Sequence, residues 1–170
     1  MNMSVQIPEP ERFRSQAYIE IIDEVSSEQT CVFTAESMNL MQSIAEKGYP
    51  LEICGLLVGN GGVDGWHITD VRQVKNLNEE RAADRFQLDP EGYQNVDKEL
   101  RGSGQEIVGV FHSHPDCPAK PSPTDLTSAW EGFVYPIISV CQGQVAEVNC
   151  WLITDEVSAG GRFQKLPHQA

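Results

Sequence analysis

The 170-residue sequence has no apolar run approaching the roughly 20 residues needed to cross a bilayer. Its N-terminal segment, MNMSVQIPEPERFRSQ, lacks a basic start followed by an apolar stretch. Neither a membrane span nor a secretory signal is expected, and the reading is a cytoplasmic protein. Positive charge is scarce: 12 Lys and Arg stand against 25 Asp and Glu, a formal net charge of −13. No Lys/Arg cluster relieves that balance, so the average surface repels polyanions and nucleic-acid binding is not expected. None of the five cysteines forms a C-x-x-C pair. A disulfide framework or a structural Cys–zinc cluster is therefore unsupported, and reduced, mostly buried thiols are the expectation.

What the sequence holds is the profile of a soluble globular domain, 40% hydrophobic and 22% charged. One core of ordinary size can be buried by such a length. Residues 1–28 read as an accessory arm, rich in Pro, Glu and Ser around Tyr18–Ile22, which is open to either a short strand or a helical turn. Residues 29–170 read as the domain proper. Cys31–Phe33 is a strand, and Thr34 caps a helix whose apolar positions Met38, Met41, Ile44 and Ala45 recur at helical spacing until Gly48 and Pro50. Ile53–Val58 is a strand buried on both faces. A Gly-rich turn at 59–65 leads to a hairpin partner, Trp66–Val74. Lys75–Asp84 is a loop and Arg85–Leu88 a short strand. Asp89-Pro90 opens a helix to Leu100, and Ile107–Phe111 is a second buried strand. A short helix from Pro123 to about Trp130, strands at Tyr135–Cys141 and Val145–Thr154, and a tail pairing near Arg162–Leu166 complete the reading. The fold class is α/β: a single-domain sandwich with a mixed, curved sheet flanked by helices.

Three segments carry chemistry. His112-Ser113-His114 continues the buried strand, so both imidazoles project from one face and can converge on one metal ion. A polar strand end without a metal is the plain alternative. Ser122-Pro123-Thr124-Asp125 offers a carboxylate as third ligand, and equally a good helix start with Ser at the N-cap and Asp at N3. The two readings are partly compatible, since such a start fixes Asp125 in the first helical turn. Glu52 stands between Leu51 and Ile53 at the entry to a buried strand, where a solvent-facing side chain is the plain alternative.

Together these residues resemble the signature of the JAMM (MPN+) zinc metallopeptidases. Glu52 with Cys54-Gly55-Leu56-Leu57 precedes His112-Ser113-His114-Pro115 by 60 residues, and seven residues separate His114 from Ser122 of the S-x-x-D element. The resemblance covers about residues 30–155 and implies a cytidine deaminase-like fold. It also implies one Zn2+ per chain on His112, His114 and Asp125, with Glu52 acting on bound water and Ser122 stabilising the oxyanion. The short chain with its H-S-H-P-D-x-P-A-x-P-S-P-T-D segment is most similar to the prokaryotic branch associated with ThiS- and MoaD-type sulfur carriers, the CysO-cysteine peptidase type. That resemblance implies hydrolysis after a carrier's C-terminal Gly-Gly, freeing cysteine or a short extension. An isopeptidase for prokaryotic ubiquitin-like conjugates and a non-catalytic binding scaffold are the alternatives. Trp130, Phe133 and Tyr135 are candidate walls of the site, with core packing as the other reading. Cys117 is either a substrate contact or an idle loop thiol. His67 and His168 are read as a strand-surface residue and a tail residue.

Overall fold

A computed structural model of the protein describes residues 6–23, 28–83, 86–122, 125, 130, 132–153 and 162–170. Within the N-terminal segment, a short 3-10 helix at Glu11–Phe13 leads to α1 (Gln16–Ile21) and β1 (Ile22–Asp23). The Tyr18–Ile22 patch thus supplies a helical turn that passes into a two-residue strand. Phe13 and Tyr18 are buried, with their ring centroids 5.3 Å apart.

β2 (Thr30–Phe33) is followed by α2 (Ala35–Gly48). Thr34 caps α2 as its sequence suggests, accepting a hydrogen bond from the Ser37 amide at 3.1 Å. Met38, Met41 and Ala45 form the helix's buried stripe against the sheet. β3 (Cys54–Gly62) and β4 (Gly65–Val74) make an antiparallel hairpin. The Gly-rich stretch is therefore mostly strand, and only Val63 and Asp64 turn the chain. The reason lies in packing: a side chain on Gly59 would run into the His67 carbonyl of the partner strand. Residues 77–83 and 86–87 are irregular, and the strand expected at Arg85–Leu88 reduces to an isolated bridge between Asn76 and Leu88; residues 84 and 85 lie outside the described residues. α3 (Pro90–Leu100) begins with Asp89 accepting from the Glu91 amide at 3.1 Å, with Pro90 in the first turn.

β5 (Glu106–Pro115), β6 (Val134–Cys141), β7 (Gln144–Ile153), β8 (Phe163–Leu166) and β9 (His168–Gln169) complete the chain. Most of the helix expected from Pro123 to Trp130 lies outside the described residues, although Asp125 is helical. The nine strands form one mixed sheet in the order β1-β8-β7-β6-β5-β3-β4-β2-β9. Only Pro167 separates β8 from β9, yet they sit near opposite ends of that order, so the sheet must curl until its two edges approach one another. The Pro167 carbonyl accepts from the Cys31 amide at 2.9 Å beside the β2–β9 pairing.

Alternation along the strands divides the interior into two cores. Leu57, Phe111 and Ile138 pack on the face covered by α2, whereas Leu56, Val110 and Ile137 pack with Val96 and Leu100 of α3. At the centre, antiparallel β3–β5 adjoins parallel β5–β6. Gly109 permits the second approach, because a Cβ there would strike the Val134 carbonyl and lie 3.0 Å from Leu57 Cδ1. Gly109→Ala should therefore lose about 1–3 kcal/mol in urea denaturation. Gly62→Ala, where nothing lies within 4 Å, should lose much less. Equal stabilities would contradict this packing of the central strands.

Candidate metal and catalytic site

β5 turns His112 and His114 onto the face shared with Val110, and Ser113 onto the other. Both imidazoles are buried, and their Nε2 atoms lie 3.1 Å apart. Asp125 Oδ2 stands 3.3 Å from His112 Nε2 and 3.5 Å from His114 Nε2. A tetrahedral ion bound by nitrogen at about 2.0–2.1 Å needs donor atoms about 3.3 Å apart. The three edges of this triangle bracket that spacing, so the donor set fits a divalent metal of zinc's size.

Hydrogen bonds between Ser122 and Asp125 orient the carboxylate. The Ser122 amide donates to Asp125 Oδ2 at 2.7 Å, and the Asp125 amide donates to Ser122 Oγ at 3.2 Å. This reciprocal pair is a capping box. The oxygen it holds is the same one that faces both histidines. The two sequence readings of Ser122 and Asp125 are one arrangement.

Glu52 precedes β3, and its backbone is pinned on both sides. Its amide donates to the Ala82 carbonyl at 2.6 Å, and its carbonyl accepts from Asn76 Nδ2 at 3.1 Å. The side chain faces inward and is only 4% exposed, so the solvent-facing alternative does not hold. Glu52 Oε1 lies 4.0 Å from His114 Nε2, farther than the Asp125 oxygen. The carboxylate therefore sits beside the donor triangle, close enough to share one small ligand with an ion held there.

Protonation follows from this crowding. Burial lowers the His112 pKa, outweighing the nearby Asp125 carboxylate. Burial also acts against a charge on His114, but Asp125, Glu52 and the Pro118 carbonyl together leave its pKa raised. For Asp125, burial favours the neutral acid, and the two imidazoles overcome it, holding the carboxyl well below its ordinary range. Burial, reinforced by the Glu52 charge, pushes the Cys54 thiol up to about 12. His114 Nδ1 lies 2.9 Å from the Pro118 carbonyl. A carbonyl only accepts, so Nδ1 carries the proton and the Nε2 lone pair is free for a metal.

Several neighbours carry no local sequence signal. Ser113 Oγ accepts from the Ile53 amide at 2.9 Å, fastening β5 to β3 at the site. Phe86 stacks on His112 with ring centroids 4.5 Å apart, and Phe13 reaches within 6.1 Å of the His114 ring. Of the candidate walls, Trp130 and Tyr135 line a cavity of about 230 Å³ beside His112 and Asp125, whereas Phe133 packs against Trp130. Cys117 is half-buried and accepts from Arg12 Nη2 at 3.4 Å. His67 is exposed on β4, and His168 pairs with Cys31 in the β2–β9 contact. All five cysteines are free thiols.

The protein should bind about one divalent ion per chain by metal analysis, and His114→Ala should abolish stoichiometric binding. Protons compete for His114, whose pKa is raised above 6.5, so apparent metal affinity should fall as the solution is acidified through that raised value. Asp125, held low, stays ionised over the same window. An affinity unchanged between about pH 7.5 and 5.5 would contradict the ligand set.

Comparison with known proteins agrees with this geometry. The family described as prokaryotic homologs of the JAB domain matches residues 34–154, a span that contains Glu52, His112, His114, Ser122 and Asp125. A desampylase from Haloferax volcanii is 38% identical over 92 residues, which is 53% of this chain and 63% of that protein. The chain thus matches slightly less than two thirds of that relative's length. A desampylase from Pyrococcus furiosus is 32% identical over 62% of this chain and 69% of its own. The CysO-cysteine peptidase of Mycobacterium tuberculosis is 29% identical over 73% and 83% respectively. A solution structure of a Desulfitobacterium hafniense protein superposes with a TM-score of 0.67 at 28% identity, covering 82% of this chain and 92% of that one. One from Salinibacter ruber gives 0.61 at 30% identity, covering 81% and 90%. With its signature residues gathered at one buried site, the chain belongs to the prokaryotic JAB-domain family, as its JAMM resemblance implies.

Proposed function

We propose that this chain is a zinc-dependent peptidase that cuts directly after the C-terminal Gly-Gly of a ubiquitin-like sulfur-carrier protein of the ThiS or MoaD type, releasing cysteine or a short extension. The observation that carries the reading is the donor triangle of His112, His114 and Asp125 with Glu52 Oε1 4.0 Å from His114. The relatives named desampylase and CysO-cysteine peptidase support a peptidase that acts on the tail of a ubiquitin-like protein.

His112, His114 and Asp125 would hold the metal, with Nε2, Nε2 and Oδ2 as the atoms that face one another. When bound, zinc supplies Lewis acidity that brings the pKa of a coordinated water from about 15.7 to about 7. Glu52 accepts the proton of the attacking water at Oε1 and passes it to the departing amine. Its buried setting keeps that proton from bulk solvent. Ser122 Oγ already accepts from the Asp125 amide, so its own hydroxyl hydrogen is available to the oxyanion that develops on the scissile carbonyl. Gly-Gly suits the acyl side because glycines bring no side chain against the buried ligand residues. Phe86, stacked on His112, excludes water from one flank.

A second reading, kept in view by the relatives named desampylase, is an isopeptidase for prokaryotic ubiquitin-like conjugates. A carrier with a linear extension after Gly-Gly and a lysine-linked conjugate separate the two when products are weighed by mass spectrometry.

Glu52→Gln should retain zinc and lose about 10²–10⁴ in turnover, and Ser122→Ala about 10²–10³. Both are read as single-turnover rates with zinc content measured in parallel. Wild-type activity in Glu52→Gln would end the mechanism and restore the non-catalytic scaffold as the better account.

A further inference from the structure

The N-terminal segment lies outside the matched span of 34–154, yet it reaches the site. Phe13 is buried with its ring 6.1 Å from that of His114. The adjacent Arg12 reaches the loop that joins His114 to Ser122, with Nη2 3.4 Å from Cys117 Sγ. Cys117 in turn lies close enough to Glu52 to feel its charge, which adds to the effect of burial on the thiol. The guanidinium therefore stands on the Glu52 and His114 side of the donor triangle. The apolar cavity walled by Trp130 and Tyr135 lies on the other side, against His112 and Asp125.

Chemistry assigns these sides different halves of the substrate. Glu52 must reach the departing nitrogen to protonate it, so the leaving group occupies the side where Arg12 stands. Arg12 has donors to spare there. A guanidinium carries five N–H groups, and a thiol is a weak acceptor for one of them. Among the described residues no carboxylate lies within ion-pair distance of Arg12, and the nearby Glu9 pairs instead with Lys120 at 3.4 Å. Its other contact is the face of Phe13, 4.9 Å from the guanidinium carbon, which holds the group in place without neutralising it. In a chain of net charge −13, an uncompensated cation at the mouth of a buried site is a local exception. It matches a carboxylate.

We propose that Arg12 binds the free α-carboxylate of a single amino acid following the scissile bond, so that the enzyme removes one C-terminal residue. Arg12 is then a specificity residue supplied by the arm, and it makes no contact with the reacting atoms. A lysine side chain embedded in a conjugated protein offers no carboxylate at that distance from the bond, and an extension of several residues carries it too far. The inference rests on the peptidase reading above and narrows its leaving group.

The test compares zinc-loaded protein on two carriers that end in Gly-Gly plus one residue, one with a free carboxylate and one with a carboxamide. The acid should be cleaved with kcat/KM about 10- to 100-fold higher, the difference residing in KM, as expected for a charge-assisted hydrogen bond made in ground and transition states alike. Arg12→Gln should bring the acid-to-amide ratio to about one, and Arg12→Lys should keep part of it, with zinc content equal to wild type in both. Equal cleavage of acid and amide by the wild-type protein overturns the inference and leaves the peptidase reading standing. A ratio unchanged in Arg12→Gln likewise overturns the role of Arg12 alone. Failure to cleave either carrier overturns the peptidase reading together with the inference.

Discussion

A clamp between two strands holds the site together. Ser113 Oγ accepts from the Ile53 amide at 2.9 Å, and the Ser113 amide donates to the Ile53 carbonyl at 3.0 Å. Ser113 is the residue between the two histidines, and Ile53 is the residue after the glutamate. The clamp therefore fixes side chains 60 positions apart in sequence against each other. It also continues the register in which Cys54 lies opposite His112. Ser113 is buried, so a lost hydroxyl would leave the Ile53 amide unsatisfied, at a cost of about 1–3 kcal/mol. A one-residue slip of β3 on β5 would turn Glu52 away from the histidines altogether.

Burying two imidazoles and two carboxylates in one pocket is unfavourable unless each is satisfied by another group. The arrangement meets that demand in layers. The Ser122 amide orients Asp125, the Pro118 carbonyl orients His114, and Phe86 covers His112. Glu52 is held through its backbone by Ala82 and Asn76. His112 Nδ1 is buried with no hydrogen-bond partner among the described residues, and its ring is placed by Phe86 stacked on it and by Asp125 Oδ2 3.3 Å from Nε2. The central sheet carries the two histidines, whereas Asp125 and the groups that surround them come from outside it.

Much of this was visible in the residues themselves. Strands β3 and β5 announced themselves as unbroken apolar runs, and Thr34 and Asp89-Pro90 marked their helix starts, because those signals are local. The H-x-H spacing and the S-x-x-D cap are local as well. Glu52 was different: nothing around it distinguishes a buried base from a surface carboxylate, and the resemblance to a known signature singled it out. The Gly-rich stretch from Gly59 to Gly65 misled, since glycine serves a turn and a close strand approach equally well; here most of it is strand beside the His67 carbonyl. Phe86, Phe13, Arg12 and Ser113 gave no sign of their roles. Each acts through a tertiary contact with a residue at least 26 positions away, beyond the reach of any periodicity. The near closure of the sheet is equally hidden, because it depends on β8 and β9 lying near opposite ends of the strand order on either side of Pro167.

The central claim is that two imidazoles and one aspartate hold a single ion while the glutamate stands outside its ligand shell. Anomalous diffraction from zinc-loaded crystals addresses it directly. The account predicts one peak about 2.0–2.1 Å from His112 Nε2, His114 Nε2 and Asp125 Oδ2, with Glu52 Oε1 within hydrogen-bond reach of the fourth position but not on the ion. A peak elsewhere, or one with Glu52 replacing Asp125 as a ligand, would contradict it.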